Sequence, residues 1–327
     1  MREATSGHPL RADGGQDAPL EVHVPEQSHL DEAITVTVTG ARPGESVTLT
    51  ATLVDDDGTE WRSETTVVAD TDGVVDLSAH APESGSYEGV APMGWCWAME
   101  SASDRPTATL GTRAERPVTL RASTASRETT RTITRQVYDE GITARQVAAD
   151  DLVGTWYEPA TEGPYPGVVT LHGSGGRRSD RTAKQLATRG IAALALSYVG
   201  DDEAIPDRLA RVPLSSVERA AAWLRGREAV ADRRVGLFGV SRGGELALLV
   251  GARSEEIGAV VSYAGSGVVF DTPDGTAAWV DDGEPVPCLS GVGEPERTPS
   301  GEVVTRPVLE RGLEQAGEAE RRAATIP

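Results

Sequence analysis

Residues 234–250 read RVGLFGVSRGGELALLV, and the fold of the second half of the chain follows from them. Val235 to Phe238 is a short apolar run of the kind that forms a buried strand. Gly239-Val240-Ser241-Arg242-Gly243 then turns sharply, and an apolar-periodic helix runs from Glu245 onward. This is G-x-S-x-G in a strand–turn–helix setting, the pattern of a nucleophile elbow. So tight a turn leaves no room for side chains two residues either side of the serine, which accounts for both glycines. The Arg242 N–H, at the helix start, would point at a developing oxyanion. A chance glycine-rich turn is the alternative, and the strand and helix on its two sides weigh against it. No histidine lies C-terminal to Ser241.

At 327 residues and 34.3 kDa the chain is long enough for two domains with real cores. Aromatics make up only 4%, so those cores rest on Val, Leu, Ala and Ile. The net charge is −20, and Lys184 is the sole lysine among 31 cationic residues. Such a surface argues against nucleic acid or an anionic membrane as a partner. It reads as a salt-adapted, halophilic surface whose carboxylate repulsion needs screening. Cys96 and Cys288 are far apart, with no CxxC or Cys/His spacing, so neither a disulfide framework nor a metal site is expected. The first twenty residues lack an apolar core for a secretory signal, no run approaches a membrane span, and the expected location is cytoplasmic.

Residues 1–17 are polar and glycine-rich and read as a disordered tail. From Leu20 short alternating runs take over: Ala33–Thr39, Ser46–Val54, Trp61–Ala69, Thr107–Thr112 and Pro117–Ser123, broken by turns such as Asp55-Asp56-Asp57-Gly58. Short strands with turn signals and little helical periodicity predict an antiparallel β-sandwich over 18–133. Arg127–Arg135 and Tyr138–Val147 read as polar connectors with β tendency. Over 134–327 the grammar changes to strands at Gly167–His172, Ile191–Tyr198, Val235–Phe238 and Gly258–Ala264. Helices at Asp180–Arg189, Pro213–Glu228 and after the elbow alternate with them, predicting a mostly parallel sheet covered on both faces. Val268–Thr305 reads as loop and Arg306–Ala324 as one charged helix.

Several stretches resemble the acyl-CoA thioesterase and bile acid-CoA:amino acid N-acyltransferase family. They are ARPGESVTLTATLVDDDGTEWRS and GSYEGVAPMGWCWAM in the first domain, and ADDLVGTWYEPATEGPYPGVVTLHGSGG with the elbow in the second. The resemblance implies an N-terminal immunoglobulin-like sandwich, a C-terminal α/β-hydrolase domain and a fatty acyl-CoA or similar thioester as substrate. The transferase branch carries Cys as nucleophile, so Ser241 is nearer the thioesterases. It also implies two further strands, and the triad Asp and His, beyond the region matching Ala324–Pro327. The chain is thus expected to lack both triad residues and the last strands, leaving Gly258–Ala264 with Val260 and Val261 at an open edge.

An unassisted serine hydroxyl is a poor nucleophile, so acyl transfer needs an oriented base. Of the five histidines, His8, His23, His29 and His80 fall in the tail or first domain, which leaves His172 as a possible substitute base. The alternative for His172 is to brace the loop Gly173-Ser174-Gly175-Gly176. That loop lacks the Gly-Lys-Ser/Thr ending of a phosphate-binding loop, and Gly173 or Ser174 would supply the second oxyanion N–H beside Arg242. Arg177, Arg178 and Arg181 either pair with Asp180 and nearby acids or recognise coenzyme A phosphates. Asp271, Asp274, Asp281 and Asp282 could include a displaced triad acid, with an acidic surface loop as the stronger reading. No cofactor is called for. Three functions stand: a serine acyl-CoA thioesterase, a silent fragment or binding module keeping the acyl-CoA cleft, and a carboxylester hydrolase or N-acyltransferase.

Overall fold

The computed structural model describes residues 19–101, 103, 108–110, 113–149, 152–231, 234–289, 296–298, 303–304 and 306–326. The expected tail, and half of the expected Thr107–Thr112 strand, lie outside them, and the described residues 108–110 of that stretch form no strand. The chain divides into two compact units, Met1–Val137 and Tyr138–Pro327.

In the first unit the strands Ser46–Val54, Glu60–Val68, Glu115–Ser123 and Glu128–Gln136 form antiparallel pairs nine residues long in the larger of two sheets. Burial alternates along them as the pleat dictates: Trp61, Ser63, Thr65 and Val67 point inward. The smaller sheet sets Thr37–Thr39 between Glu21–His23 and Val75–Asp76. Val38, Val75, Leu49, Val67 and Leu120 from the two sheets share one core. The polar stretch around Arg127–Arg135 is a full strand, not a connector, because it pairs with Glu115–Ser123 along its whole length. Its inward positions include Ile133 and Arg135, so a charge hides the hydrophobic alternation.

The second unit is a six-stranded sheet in the order Thr143–Ala149, Leu152–Glu158, Ala192–Ser197, Gly167–Leu171, Val235–Val240, Ile257–Tyr263. The first two pairings are antiparallel and the last three parallel. The Tyr138–Val147 connector thus also holds a strand. Alternation on Ala192–Ser197 sorts the helices. Ala193 and Ala195 face the Asp180–Thr188 helix, where small side chains permit close approach. Leu194 and Leu196 join the main core, built with Val217 and Leu224 of the Ser215–Arg225 helix and Leu246 and Leu249 of the Arg242–Gly251 helix.

Three boundaries differ from the sequence reading. The helix expected from Pro213 begins at Ser215, since Val212 and Pro213 pair in parallel with Trp279 and Val280. The 268–305 segment is thus not all loop: Trp279–Asp281 pairs with Glu284–Pro285, and Phe270 bridges Leu289. The terminal helix is two, Arg306–Gln315 and Glu318–Ala324, because extended Gly317 interrupts it and donates its N–H to Glu320 at 2.8 Å. Among the described residues Ile257–Tyr263 pairs only with Val235–Val240. Val261 is 50% and Tyr263 66% exposed, whereas Val260 packs against the core instead of facing the edge.

Candidate active site

The Val235–Val240 strand carries the chain through the sheet and ends one residue before Ser241. That residue has φ 54° and ψ −121°, a left-handed-side conformation that costs a non-glycine residue about 1–3 kcal/mol. Sterics fix the turn around it. A Cβ on Gly239 would lie 2.0 Å from the Gly243 carbonyl oxygen, and one on Gly243 would lie 2.3 Å from that of His172. Ser241 donates its N–H to the Tyr263 carbonyl at 2.9 Å, while its own carbonyl accepts from Gly244 and Glu245 at 2.9 and 3.2 Å. The side chain is exposed at the head of the Arg242–Gly251 helix.

The loop after Gly167–Leu171 comes against this turn. A Cβ on Gly173 would sit 3.3 Å from Ser241 Cβ and 3.8 Å from its Oγ. Arg242, as first residue of the helix, has no intrahelical acceptor for its N–H. Gly173, Ser241 and Arg242 are thereby brought together, with Ser174 next in the loop and exposed.

His172 is 1% exposed. Its Nδ1 donates to the Gly173 carbonyl at 2.7 Å, and its Nε2 accepts the Tyr198 N–H at 3.4 Å. Its ring stacks on Tyr198 with centroids 4.0 Å apart, and the Tyr198 hydroxyl donates to the His172 carbonyl. Burial lowers its pKa, partly opposed by the Gly173 hydrogen bond, which favours the neutral ring. Both nitrogens are engaged within the fold, the geometry of a brace for the loop.

The arginines separate. Arg178 Nε donates to both Asp180 oxygens at 2.8 and 3.0 Å, and Asp180 also accepts the Tyr157 hydroxyl at 2.8 Å, so local pairing takes this residue. Arg177 and Arg181 are exposed. Of the four aspartates, Asp274 meets Arg208 and Thr272, and these hydrogen bonds, Thr272's first, hold its pKa far below the usual range. Asp281 lies 3.7 Å from Arg253 Nε, and Asp282 is exposed on a turn. Asp271 departs from the surface reading: it is 7% exposed, its N–H bonded to the Leu289 carbonyl.

Glu245, one turn into the elbow helix, is a site residue that the sequence reading passed over. It is 1% exposed, accepts Arg242 Nη1 at 3.0 Å and accepts the indole N–H of Trp279, itself wholly buried. Arg242 Nη2 donates to the Phe270 carbonyl at 2.6 Å, and the guanidinium sits 5.6 Å from the Trp279 ring centroid. Burial pushes the Glu245 pKa up to about 7 against the opposing pull of Arg242 and the hydrogen bonds. The sequence signal was an acid on the buried face of an otherwise apolar helix, four residues before Leu249. Among the described residues no cluster of His, Cys, Asp and Glu could hold a metal ion. Among the same residues no helix is long and apolar enough to cross a membrane.

A strained, exposed serine between the end of a parallel strand and the start of a helix places the second unit in the α/β-hydrolase class. Two models then fix the family. The acyl-CoA thioester hydrolase/BAAT N-terminal region matches residues 31–149, and the BAAT/acyl-CoA thioester hydrolase C-terminal region matches 212–281. The chain belongs to this family. Acyl-coenzyme A thioesterase 1 of Rattus norvegicus is 32% identical over 259 residues, which is 76% of this chain and 61% of that protein. The mitochondrial acyl-coenzyme A thioesterase 2 of the same organism is 31% identical over 276 residues, 80% of this chain and 60% of that one. This chain therefore spans about three-fifths of the length of these relatives. Likeness to solved structures is partial: an alpha/beta hydrolase from Penicillium matches at a TM-score of 0.33 and 16% identity, over 39% of this chain and 47% of that chain.

Proposed function

We propose that this chain is the nucleophile-bearing part of a serine acyl-CoA thioester hydrolase. The observation that carries the reading is the Ser241 turn, at φ 54° with the Gly173 loop against its side chain. In the proposed reaction Ser241 Oγ attacks the thioester carbonyl carbon and gives its proton to a general base. The C–S bond breaks, coenzyme A leaves as the thiol, and the acyl group stays as an ester on Ser241. Water then cleaves that ester to the free acid and restores the hydroxyl. The oxyanion is held by the Arg242 N–H and by that of Gly173 or Ser174. His172 braces this loop, and the general base is not assigned to any residue of this chain. Arg177 and Arg181 suit the coenzyme A phosphates. The first unit is proposed to be immunoglobulin-like, the setting fatty acid metabolism in the cytoplasm, and the surface salt-adapted.

A second reading, acyl-CoA binding without turnover, is favoured by the engagement of both His172 ring nitrogens. Incubation with an acyl-CoA separates the two. Hydrolysis adds an acyl mass to Ser241 and releases coenzyme A thiol, whereas pure binding does neither.

A further inference from the structure

Helices that follow a tight turn need their first residues held, and here the holding group is a buried acid. An isolated buried carboxylate is costly, and paired ones are often replaceable by apolar side chains without loss of stability. Glu245 nevertheless lies at 1% exposure on a helix whose other buried residues are all apolar. Its two oxygens take a guanidinium N–H from Arg242 and the indole N–H of Trp279, so both are satisfied by donors from different elements. Arg242 in turn reaches the Phe270 carbonyl with its other terminal nitrogen. The carboxylate thus ties the residue after Ser241 to two segments, at 270 and at 279, that lie outside the main sheet.

We propose that Glu245 is a positioning residue for Ser241: through Arg242 and Trp279 it locks the first turn of the elbow helix against the Phe270 segment, and so fixes the Arg242 N–H where the oxyanion forms. This rests on the serine-nucleophile reading above. It assigns Glu245 no contact with substrate. The lock needs the carboxylate in its ionised form, because a protonated acid loses the charge that orients the guanidinium.

Several groups act on that ionisation. Arg242 is on the same helix. The Phe270 backbone, on the segment after the last sheet strand, and Trp279, on the short strand beyond it, lower the Glu245 pKa through hydrogen bonds, as the Arg242 charge does. Cys288 has its thiol pKa raised by burial first, then by Asp271, with Glu245 also raising it. Tyr198 is raised by burial and senses both Arg242 and Glu245, and His172 stacks upon it. Burial of the carboxylate places its titration near pH 7, within reach of measurement.

The test is the rate at which a fluorophosphonate labels Ser241, followed by mass spectrometry from pH 5.5 to 8.5. The ratio of wild type to Glu245→Gln should be about tenfold at pH 8.5, less than deletion of an oxyanion donor would cost, and should fall toward one at pH 5.5, where wild-type Glu245 is itself protonated. Glu245→Asp should recover part of the rate at pH 8.5. A merely structural role gives a ratio that does not change with pH, and that result, or a ratio of one throughout, overturns the proposal. Should Glu245→Gln not fold, Trp279→Phe keeps the packing and removes one donor; its label at the wild-type rate also overturns it. No label on wild-type Ser241, or label persisting in Ser241→Ala, instead refutes the nucleophile reading and this inference with it.

Discussion

Each unit of the molecule buries charge, and they do so to different ends. In the first, Arg135 is 1% exposed and its guanidinium donates to Ser28 Oγ and to the carbonyls of Leu30 and Glu32, at 2.6, 3.0 and 2.9 Å. Arg116, wholly buried, pairs with Asp56. These charges staple strands to the segments beside them, far in sequence from any strained backbone. In the second unit the most deeply buried carboxylate among the described residues is Glu245, one turn after a serine at positive φ, and it is tied to Arg242 next to that serine. A charge that staples a sheet is expected to matter for stability alone. A charge beside a strained serine is expected to be retained at a cost in stability, because strain and buried polar groups persist where function holds them.

The largest effect should be common to both units and separates surface charge from buried charge. With a net charge of −20, repulsion between exposed carboxylates opposes the compact state, and salt screens it. Melting temperatures should climb steeply from low to molar KCl. A salt-insensitive melt would show that the acidic surface does not limit folding. Buried pairs lie beyond the reach of that screening, so the mutational effects below should survive in high salt.

Next in size is the staple. Asp56→Ala leaves the Arg116 cation buried without its carboxylate, and loss of one partner of such a pair costs about 3–5 kcal/mol. Denaturant unfolding should show this, with Ser241 labelling unchanged whenever the protein is folded. A loss below about 1 kcal/mol would mean that the pair contributes no more than a surface bridge.

Glu245 should show the opposite sign. Its folded pKa, about 7, lies above the ordinary carboxylate value of 4.5. Its favourable contribution is therefore complete below about pH 4.5 and is lost as pH rises through 7. Relative to Glu245→Gln, the wild type should lose up to about 3 kcal/mol between pH 5 and pH 8. Parallel stability profiles for the two proteins would place the Glu245 titration elsewhere and erase the contrast between the units.

The elbow was legible because steric demand writes itself into residue type: Gly239 and Gly243 stand where a Cβ would strike a carbonyl. The alternation of Glu60–Val68 was legible for the same reason, apolar and polar residues taking opposite faces. The strand Glu128–Gln136 was not, since its inward face carries Arg135, and a long-range partner set satisfies that charge. Glu245 gave a local sign, an acid on an apolar helix face. Its meaning depends on Trp279, 34 residues away, and no periodicity reports such a pairing. His172 illustrates the limit in chemistry: the sequence offered a base or a brace, and the contacts of its ring nitrogens with Gly173 and Tyr198, which favour the brace, are not written in any spacing.

The central claim, that Ser241 is a nucleophile on a strained elbow, is tested most directly by intact-mass analysis of the protein after incubation with an acyl-CoA. An acyl adduct trapped by rapid quenching is expected on Ser241, mapped by peptide sequencing, with at least one equivalent of coenzyme A thiol released per chain and both signals absent in Ser241→Ala. An adduct that persists in Ser241→Ala, or that maps to Cys96 or Cys288, would contradict it.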